Sequence, residues 1–503
     1  MTDNLNSRVA RGIAWMASAR AVVRILGLVS TLVLARLLVP ADFGIIAMAT
    51  SVAAGLELLT LFGFDVALIQ RKTLVRDDYD TAWTLNTLMG LGIALLLVAT
   101  ASLAADYFRE PRLVAVNMLL ALQYAIKNAA NTGTVDFRRN LDFRWEFITQ
   151  VVPKVGGVII TIPLAFWLKD YRALIAGMIL TSVMAFSLSY IVHPHRPRPC
   201  LRGARELFRF SRWLLFNNLL TFLRTRGATF IIGRMMGSAS LGIYGLAYEV
   251  ANMPTTEMVA PINRVLGPTY VKVHENPDLL RSTFTATFGL IAILIFPASI
   301  GLAAVADPLV RVVLGDKWLA TIPVMTILAL SGAGNLLQTN TGSVHTAIGQ
   351  PRYITLTGFI HVLTLLPAIV LGTLWQGLIG AAWAYLLHTW IIGIWTTYAI
   401  LFRTTVIRRE DVIRACWRPV IASTAMYVAV AGYLMLFAGH HAFAMSLLAL
   451  FSASALGAGI YVVVLLLLWN AVGRPEGSET AILRRLRGAT SRLRRQPRPP
   501  SPA

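Results

Sequence analysis

Residues 443–470 read FAMSLLALFSASALGAGIYVVVLLLLWN, 28 consecutive positions without an Asp, Glu, Lys or Arg. A helix that crosses the hydrocarbon core of a bilayer needs about 20 mostly apolar residues, and this stretch exceeds that. Thirteen further runs precede it, at roughly 13–38, 43–69, 82–105, 113–134, 146–168, 173–192, 213–236, 241–266, 283–305, 320–348, 354–374, 378–402 and 419–438. Polar residues interrupt the fourth, fifth, eighth and tenth. Only 14% of the 503 residues are charged, against roughly 25% in a soluble domain. The expected fold is therefore an all-α polytopic membrane protein with 14 transmembrane helices.

The net charge of +21 would suit a nucleic-acid partner, but its placement argues against one. With the N-terminus and the loops after each even-numbered span on one side, that side holds 30 Lys and Arg and the other holds 6: Arg109, Arg112, Lys169, Arg172, Arg311 and Lys317. Such asymmetry orients membrane proteins with the basic side in the cytoplasm, so both termini are expected there, in a bacterial inner membrane. The first apolar run contains Arg20 and Arg24 and reads as a retained helix, not a cleaved signal. Cys200 and Cys416 fall in cytoplasmic loops, which argues against a disulfide. No Cys/His cluster points to a metal, and no GxxxxGK[ST] loop is present to cradle nucleotide phosphates. No cofactor is implied.

The sequence repeats itself. A shift of 198 residues lays Arg11 and Trp15 on Arg209 and Trp213, Thr31, Arg36 and Ala41 on Thr229, Arg234 and Ala239, and Gly44 and Ile45 on Gly242 and Ile243. Six spans separate the copies, so the repeats run parallel, an arrangement of transporters built from two halves. The expected organisation is a six-helix bundle over 1–192, a basic cytoplasmic linker over 193–212, a second six-helix bundle over 213–402, additional helices 13 and 14 over 403–470, and a basic disordered tail over 471–503.

Nine basic residues lie inside the spans: Arg20, Arg24, Arg36, Lys127, Lys154, Arg224, Arg226, Arg234 and Arg264. Facing all of them to lipid would cost on the order of 20–30 kcal/mol. Arg36, Arg234 and Arg264 lie close enough to span ends to snorkel. Arg24, Lys127, Lys154 and Arg224 lie deeper. Arg20 and Arg24 share one helix face, where two like charges call for an anion, and Asn217, Thr221 and Arg224 form a polar stripe on the seventh span. The deep acids are Glu57, Glu249 and Glu257, too few to neutralise these cations. A phosphate-bearing ligand would, because the planar guanidinium binds two oxygens at once. Salt bridges within the membrane, for instance Glu257 with Arg264, are the alternative. On the tenth span Asn335, Gln338, Thr339, His345 and Thr346 offer groups either for sugar hydroxyls or for helix–helix hydrogen bonds.

Several local patterns carry a resemblance. The hairpin Val33-Leu34-Ala35-Arg36-Leu37-Leu38-Val39-Pro40-Ala41-Asp42-Phe43-Gly44, then Phe62-Gly63-Phe64 with Ile69-Gln70-Arg71-Lys72, then Leu314-Gly315-Asp316-Lys317-Trp318, Gly349-Gln350-Pro351-Arg352 and Gly377-Leu378-Ile379-Gly380-Ala381-Ala382 appear in that order. Together they resemble the Wzx-type polysaccharide flippases of the multidrug/oligosaccharidyl-lipid/polysaccharide exporter superfamily, over most of residues 8–402. The resemblance implies two pseudo-symmetric six-helix bundles around a central cavity, two additional helices and alternating access. It implies an undecaprenyl-diphosphate-linked oligosaccharide as substrate, moved from the cytoplasmic to the periplasmic leaflet before polymerisation, with membrane lipid, a polysaccharide polymerase and a co-polymerase as partners. Arg20, Arg24 and Arg224 would meet the diphosphate, with Lys127, Lys154 and Arg264 as further substrate-binding candidates. Glu57, Glu249 and Glu257 are the ion-coupling candidates. A drug/cation antiporter of the same superfamily would want an acidic, aromatic cavity. A membrane polymerase or ligase would want a large periplasmic loop, and the longest here is about fifteen residues by the same span estimate.

The orientation has a direct check. Cys200 is expected to resist a membrane-impermeant maleimide in intact cells and to react in inside-out vesicles; labelling from the periplasm would reverse the topology.

Overall fold

A computed structural model describes residues 2–58, 68–69, 71, 74–202, 212–437, 439, 442–474 and 480; side chains at 2–11, 13–14, 212–217, 260–261 and 263–265 fall outside the described set. The Arg264 side chain, the Phe62-Gly63-Phe64 stretch, Asn217 and almost all of the basic tail therefore lie outside it. Among the described residues all regular structure is helical. The long helices are α1 (Thr2–Leu37), α2 (Pro40–Glu57), α3 (Arg76–Ala99), α4 (Arg112–Asn128), α5 (Phe143–Leu168), α6 (Arg172–Val192), α7 (Arg212–Val273), α8 (Pro277–Ala304), α9 (Thr321–Ala347), α10 (Arg352–Leu387), α11 (Ile394–Thr404), α12 (Arg409–Leu434) and α13 (Phe443–Ala471).

Ten helical stretches among the described residues are long and apolar enough to cross a membrane, or eleven if α4 and the following Thr132–Arg139, bent from it by 58°, count as one. Two of the ten are too long to be a single crossing. At 1.5 Å per residue, α7 with its 62 residues would reach about 90 Å, three times the bilayer core. Gly237, at φ 79° and ψ −177°, breaks it, a conformation open almost only to glycine. Gly377, at φ 58° and ψ −131°, does the same in α10. Around it the helix folds back so closely that a Cβ on Gly372 or Gly380 would strike the other residue's carbonyl.

The chain forms two compact units. The first comprises Met1–Leu246 with Val313–Trp318. At its centre the turn from α1 to α2 meets the bend in α7. A Cβ on Gly44 would fall on the carbonyl of Ser238, and a Cβ on Gly242 would fall on the carbonyl of Pro40. Ser238 and Gly242 are the positions reached from Pro40 and Gly44 by the 198-residue shift, so the contact is reciprocal. Asp42 ties the same turn down by accepting from Val39 N at 3.1 Å and Tyr171 N at 3.2 Å; burial raises its carboxyl above the ordinary range. The Gly315–Trp318 loop docks on the end of α1, where the fully buried Trp318 donates Nε1–H to the Ala35 carbonyl at 2.7 Å. The basic linker begins as a strap on this unit. Asn131 donates to the His195 carbonyl at 2.8 Å, and the amides of Arg198 and Cys200 donate to Asp80 at 3.1 Å and Thr84 at 2.9 Å. Burial pushes the His193 imidazole down, against the pull of Asp136 at 3.5 Å.

The second unit comprises Ala247–Val312 and Leu319–Ala503. Its aromatic core of Tyr270, Phe284, Phe288 and Phe296 is almost fully buried. Arg281 on α8 binds Asp411 on α12 through Nε at 2.6 Å and NH2 at 2.8 Å, and Tyr461 on α13 donates to the Ile293 carbonyl at 2.7 Å.

The reciprocal turn contact leaves no room for a methyl group. Gly44→Ala and Gly242→Ala are each expected to lower stability by about 1–3 kcal/mol, the usual range for overpacking, read as an earlier unfolding midpoint in detergent. Gly245→Ala, where a Cβ meets nothing within 4 Å, should leave the midpoint unchanged or slightly higher.

Candidate functional site

In the first unit, α1 and α5 pack together and carry the basic face that the sequence pointed to. Arg20 is exposed and Arg24 half-buried one turn on. One further turn along, a Cβ on Gly27 would lie 4.0 Å from Cε of Lys154 on α5, so the lysine stem passes this face of α1. Arg20 also lines a cavity of about 290 Å³ with Met16 and Ala19 of α1, Arg138, and Glu146, Phe147 and Gln150 of α5. Glu146 is buried there, bound by Arg138 Nε at 2.8 Å and Gln150 Nε2 at 2.6 Å. Two cations and one carboxylate leave this cavity wall with a net positive charge. Glu146 and Arg138 were missed because both sit near a span end, where charges are ordinary. The i, i+4 spacing of Glu146 and Gln150 was the available signal.

A second cluster joins α2 and α4. Lys127 Nζ lies 3.2 Å from Glu57, and the Tyr124 hydroxyl donates to the same carboxylate at 3.1 Å. A substrate-binding candidate and an ion-coupling candidate are thus partners of one another. Arg226 of α7 acts electrostatically on the Tyr124 hydroxyl. Arg224 is exposed two residues earlier, and Thr221 beside it is exposed as well.

Arg36 and Arg234 have structural roles. Arg36 donates to the Val313 carbonyl at 3.0 Å, and Arg234 donates to the carbonyls of Tyr107 at 2.7 Å and Asp106 at 3.3 Å. These two arginines occupy matching positions of the repeat. Near Arg234, Glu110 accepts from both Arg112, at 2.8 and 2.9 Å, and Ser238 at 3.0 Å. The Arg112 hydrogen bond holds its carboxyl below the ordinary range.

In the second unit Glu249 and Glu257 lie on α7 with exposed side chains, and Glu257 accepts from the Thr256 hydroxyl at 3.3 Å. The polar residues of α9 mostly serve helix–helix bonding. Asn335 donates to Asn252 at 3.3 Å and to the Tyr385 hydroxyl at 3.2 Å, Gln338 donates to the Thr389 carbonyl at 3.2 Å, and His345 Nε2 pairs with the Thr404 hydroxyl at 3.0 Å. Thr339 and Thr346 return their hydroxyls to their own helix.

Residues 33–323 match the model of a family described as polysaccharide biosynthesis protein. The chain is 26% identical over 388 residues to the lipopolysaccharide biosynthesis protein WzxC of Escherichia coli (strain K12), covering 76% of this chain and 79% of that protein. It is 24% identical over 495 residues to the succinoglycan biosynthesis transport protein ExoT of Rhizobium meliloti (strain 1021), covering 97% of this chain and 96% of that one. Among solved structures, the lipid II flippase MurJ in an inward closed conformation superposes with a TM-score of 0.71 over 92% of this chain and 99% of that chain, at 14% identity. That likeness is one of fold.

The two carboxylates should respond differently to removal of charge. The Glu57–Lys127 pair is half exposed, with side-chain exposures of 32% and 50%, so Glu57→Gln is expected to change stability by less than about 1 kcal/mol. Glu146→Gln strips a charged acceptor from a buried site and is expected to cost about 1–3 kcal/mol. Thermal unfolding of the two variants in detergent checks the difference.

Proposed function

Because this chain belongs to the polysaccharide biosynthesis protein family, we propose that it is a flippase moving an undecaprenyl-diphosphate-linked oligosaccharide from the cytoplasmic to the periplasmic leaflet for exopolysaccharide, O-antigen or capsule synthesis. It works as a transporter and catalyses no covalent chemistry. The observation that carries the reading is the basic face of α1 and α5, on which Arg20, Arg24 and Lys154 follow one another over less than two helical turns of α1. A diphosphate satisfies that face, since guanidinium groups bind phosphoryl oxygens in pairs. The relatives named for lipopolysaccharide biosynthesis and succinoglycan transport support the same substrate class.

In this reading Arg20, Arg24 and Arg224 hold the diphosphate, and Lys127, Lys154 and Arg264 extend the basic lining. Transport proceeds by alternating access between two six-helix bundles, 1–192 and 213–402, joined by the linker 193–212, with helices 13 and 14 over 403–470 added. Fourteen spans, both termini in the cytoplasm and an inner-membrane location complete the topology. The breaks at Gly237 and Gly377 support that count by dividing α7 and α10. The polymerase and co-polymerase act on the flipped product. An ion gradient resets the empty carrier through an ionisable group whose affinity for the ion differs between the two states, and among carboxylates Glu57, Glu249 and Glu257 are the candidates. For Glu57 the ion would compete with Lys127 for the carboxylate.

Arg24 and Arg224 come from matching halves of the sequence repeat and supply the test. Arg24→Gln or Arg224→Gln is expected to reduce flipping of lipid-linked oligosaccharide in proteoliposomes at least tenfold, the scale of one lost charge-assisted contact of about 1.4 kcal/mol or more. Membrane abundance should stay near that of the wild type. Undiminished flipping by the double variant would remove the diphosphate role from this face.

A further inference from the structure

Two histidines lie inside the second unit, and neither belongs to the basic face or the carboxylates. His361 is on α10, and His388 opens a π-helical stretch, His388–Gly393, that joins α10 to α11. They are 7% and 5% exposed. Their rings stand perpendicular, with centroids 5.6 Å apart. Each falls well inside an apolar span, His361 within 354–374 and His388 within 378–402. An ionisable residue at such a depth is a functional suspect by default.

Each ring has a threonine partner. His361 Nε2 lies 3.0 Å from the Thr396 hydroxyl, and His388 Nε2 lies 2.9 Å from the Thr364 hydroxyl. Each threonine hydroxyl already donates its single proton to a backbone carbonyl at 2.7 Å, Thr396 to Ile392 and Thr364 to Ile360. A hydroxyl has one proton and two acceptor lone pairs, so each can only accept from the imidazole. With each threonine proton given to its carbonyl, each ring donates from Nε2 to its threonine. Two imidazolium rings at this separation, in an apolar interior, repel strongly.

The elements that carry the pair hold no acid of their own, and on α7, which meets α9 and α10 through Asn252–Asn335 and Tyr248–Tyr385, the acids are Glu249 and Glu257. From Thr321 to Thr404, which covers α9, α10, the π-helical stretch and α11, there is no Asp or Glu. The other titratable and charged groups on these elements are His345, Arg352, Tyr353, Tyr385, Tyr398 and Arg403. His345 is paired with Thr404, Arg352 lies over the Tyr353 ring, Tyr385 meets Tyr248 and Asn335, Tyr398 donates to the Leu337 carbonyl, and Arg403 ends α11. The π-helical stretch that His388 opens is closely seated. A Cβ on Gly393 would strike the Gln338 amide, and Thr389 packs against Gly334 of α9. Single-turn π segments recur at functional positions in helices, and this one seats the stretch that begins at His388 against α9.

We propose that the His361–His388 pair is a proton-binding site through which a proton gradient biases the carrier, an inference that rests on the flippase reading and names its coupling ion. Imidazole takes up H⁺ on its unprotonated ring nitrogen and offers nothing to Na⁺ beyond one neutral nitrogen, so coupling through this pair selects protons. Binding drives transport when the pair's proton affinity differs between the two conformations, because only differential affinity shifts the equilibrium.

The test uses the full chain in proteoliposomes, with lipid-linked oligosaccharide extracted from the host's own membranes and trapped pyranine reporting internal pH. Wild-type flipping is expected to respond to an imposed pH gradient, to ignore a Na⁺ gradient at equal pH, and to be accompanied by proton movement on addition of the lipid. In His388→Gln and His361→Gln, flipping rates with and without the pH gradient should become equal, and the pyranine signal should vanish. Wild-type protein driven by Na⁺ alone overturns the proposal without any variant, as does an undiminished pH response in a variant whose size-exclusion profile matches the wild type. Absence of flipping by the wild type under every gradient would instead count against the flippase reading itself.

Discussion

A guanidinium removed from water must find oxygen atoms, and in a chain with this few carboxylates much of the oxygen available is backbone carbonyl. Arg36 and Arg234 solve the problem in the same way, each donating to the end of a distant segment, at Val313 and at Asp106–Tyr107. These bonds anchor the short connections that follow helices. Asp42 does the converse, offering a carboxylate to two backbone N–H groups at Val39 and Tyr171. The turn between α1 and α2 is held by both devices at once, and the Trp318 indole on Ala35 closes it from outside.

Once those cations are committed to structure, the remaining basic residues stand out by contrast. Lys127 is matched by Glu57, and Arg138 by Glu146. Arg20, Arg24 and Lys154 gather on one helix pair with the cavity beside Arg20. Like charges at one helical turn cost energy in isolation, a cost that a bound anion would relieve.

Much of the fold was legible in the chain. Hydropathy marked the helices, and the matched Gly44 and Gly242 marked the repeat whose two turns pack reciprocally. Pro153 and Pro163 lie within α5, and it remains a continuous helix. What escaped were partners set by tertiary contact. Glu57 and Lys127 are 70 residues apart, and nothing in either neighbourhood announces the other. The carbonyl partners of Arg36 and Arg234 are invisible in a side-chain alphabet, so interfacial snorkelling was the nearest available account. The linker was expected at the cytoplasmic surface because it is basic and proline-rich, but its fastening depends on Asp80 and Thr84, whose side chains read as ordinary residues near a span end. On α9 the polar residues were equally suited to sugar and to neighbouring helices, and tertiary packing gave Asn335, Gln338 and His345 to the helices.

The close approach of Gly44 to Ser238 and of Gly242 to Pro40 has the form of an isologous interface, in which patch i meets patch j and j meets i. Nothing in that geometry requires the two patches to share a polypeptide. A half-length ancestor with one such turn could have met a second copy of itself through the same two glycines and two carbonyls, in a dimer with a two-fold axis along the membrane normal. Gene duplication and fusion would then have turned an intermolecular seam into an intramolecular one. After fusion each copy was free to diverge, and 198 residues on from Arg20 and Arg24 the chain carries Asn218 and Phe222.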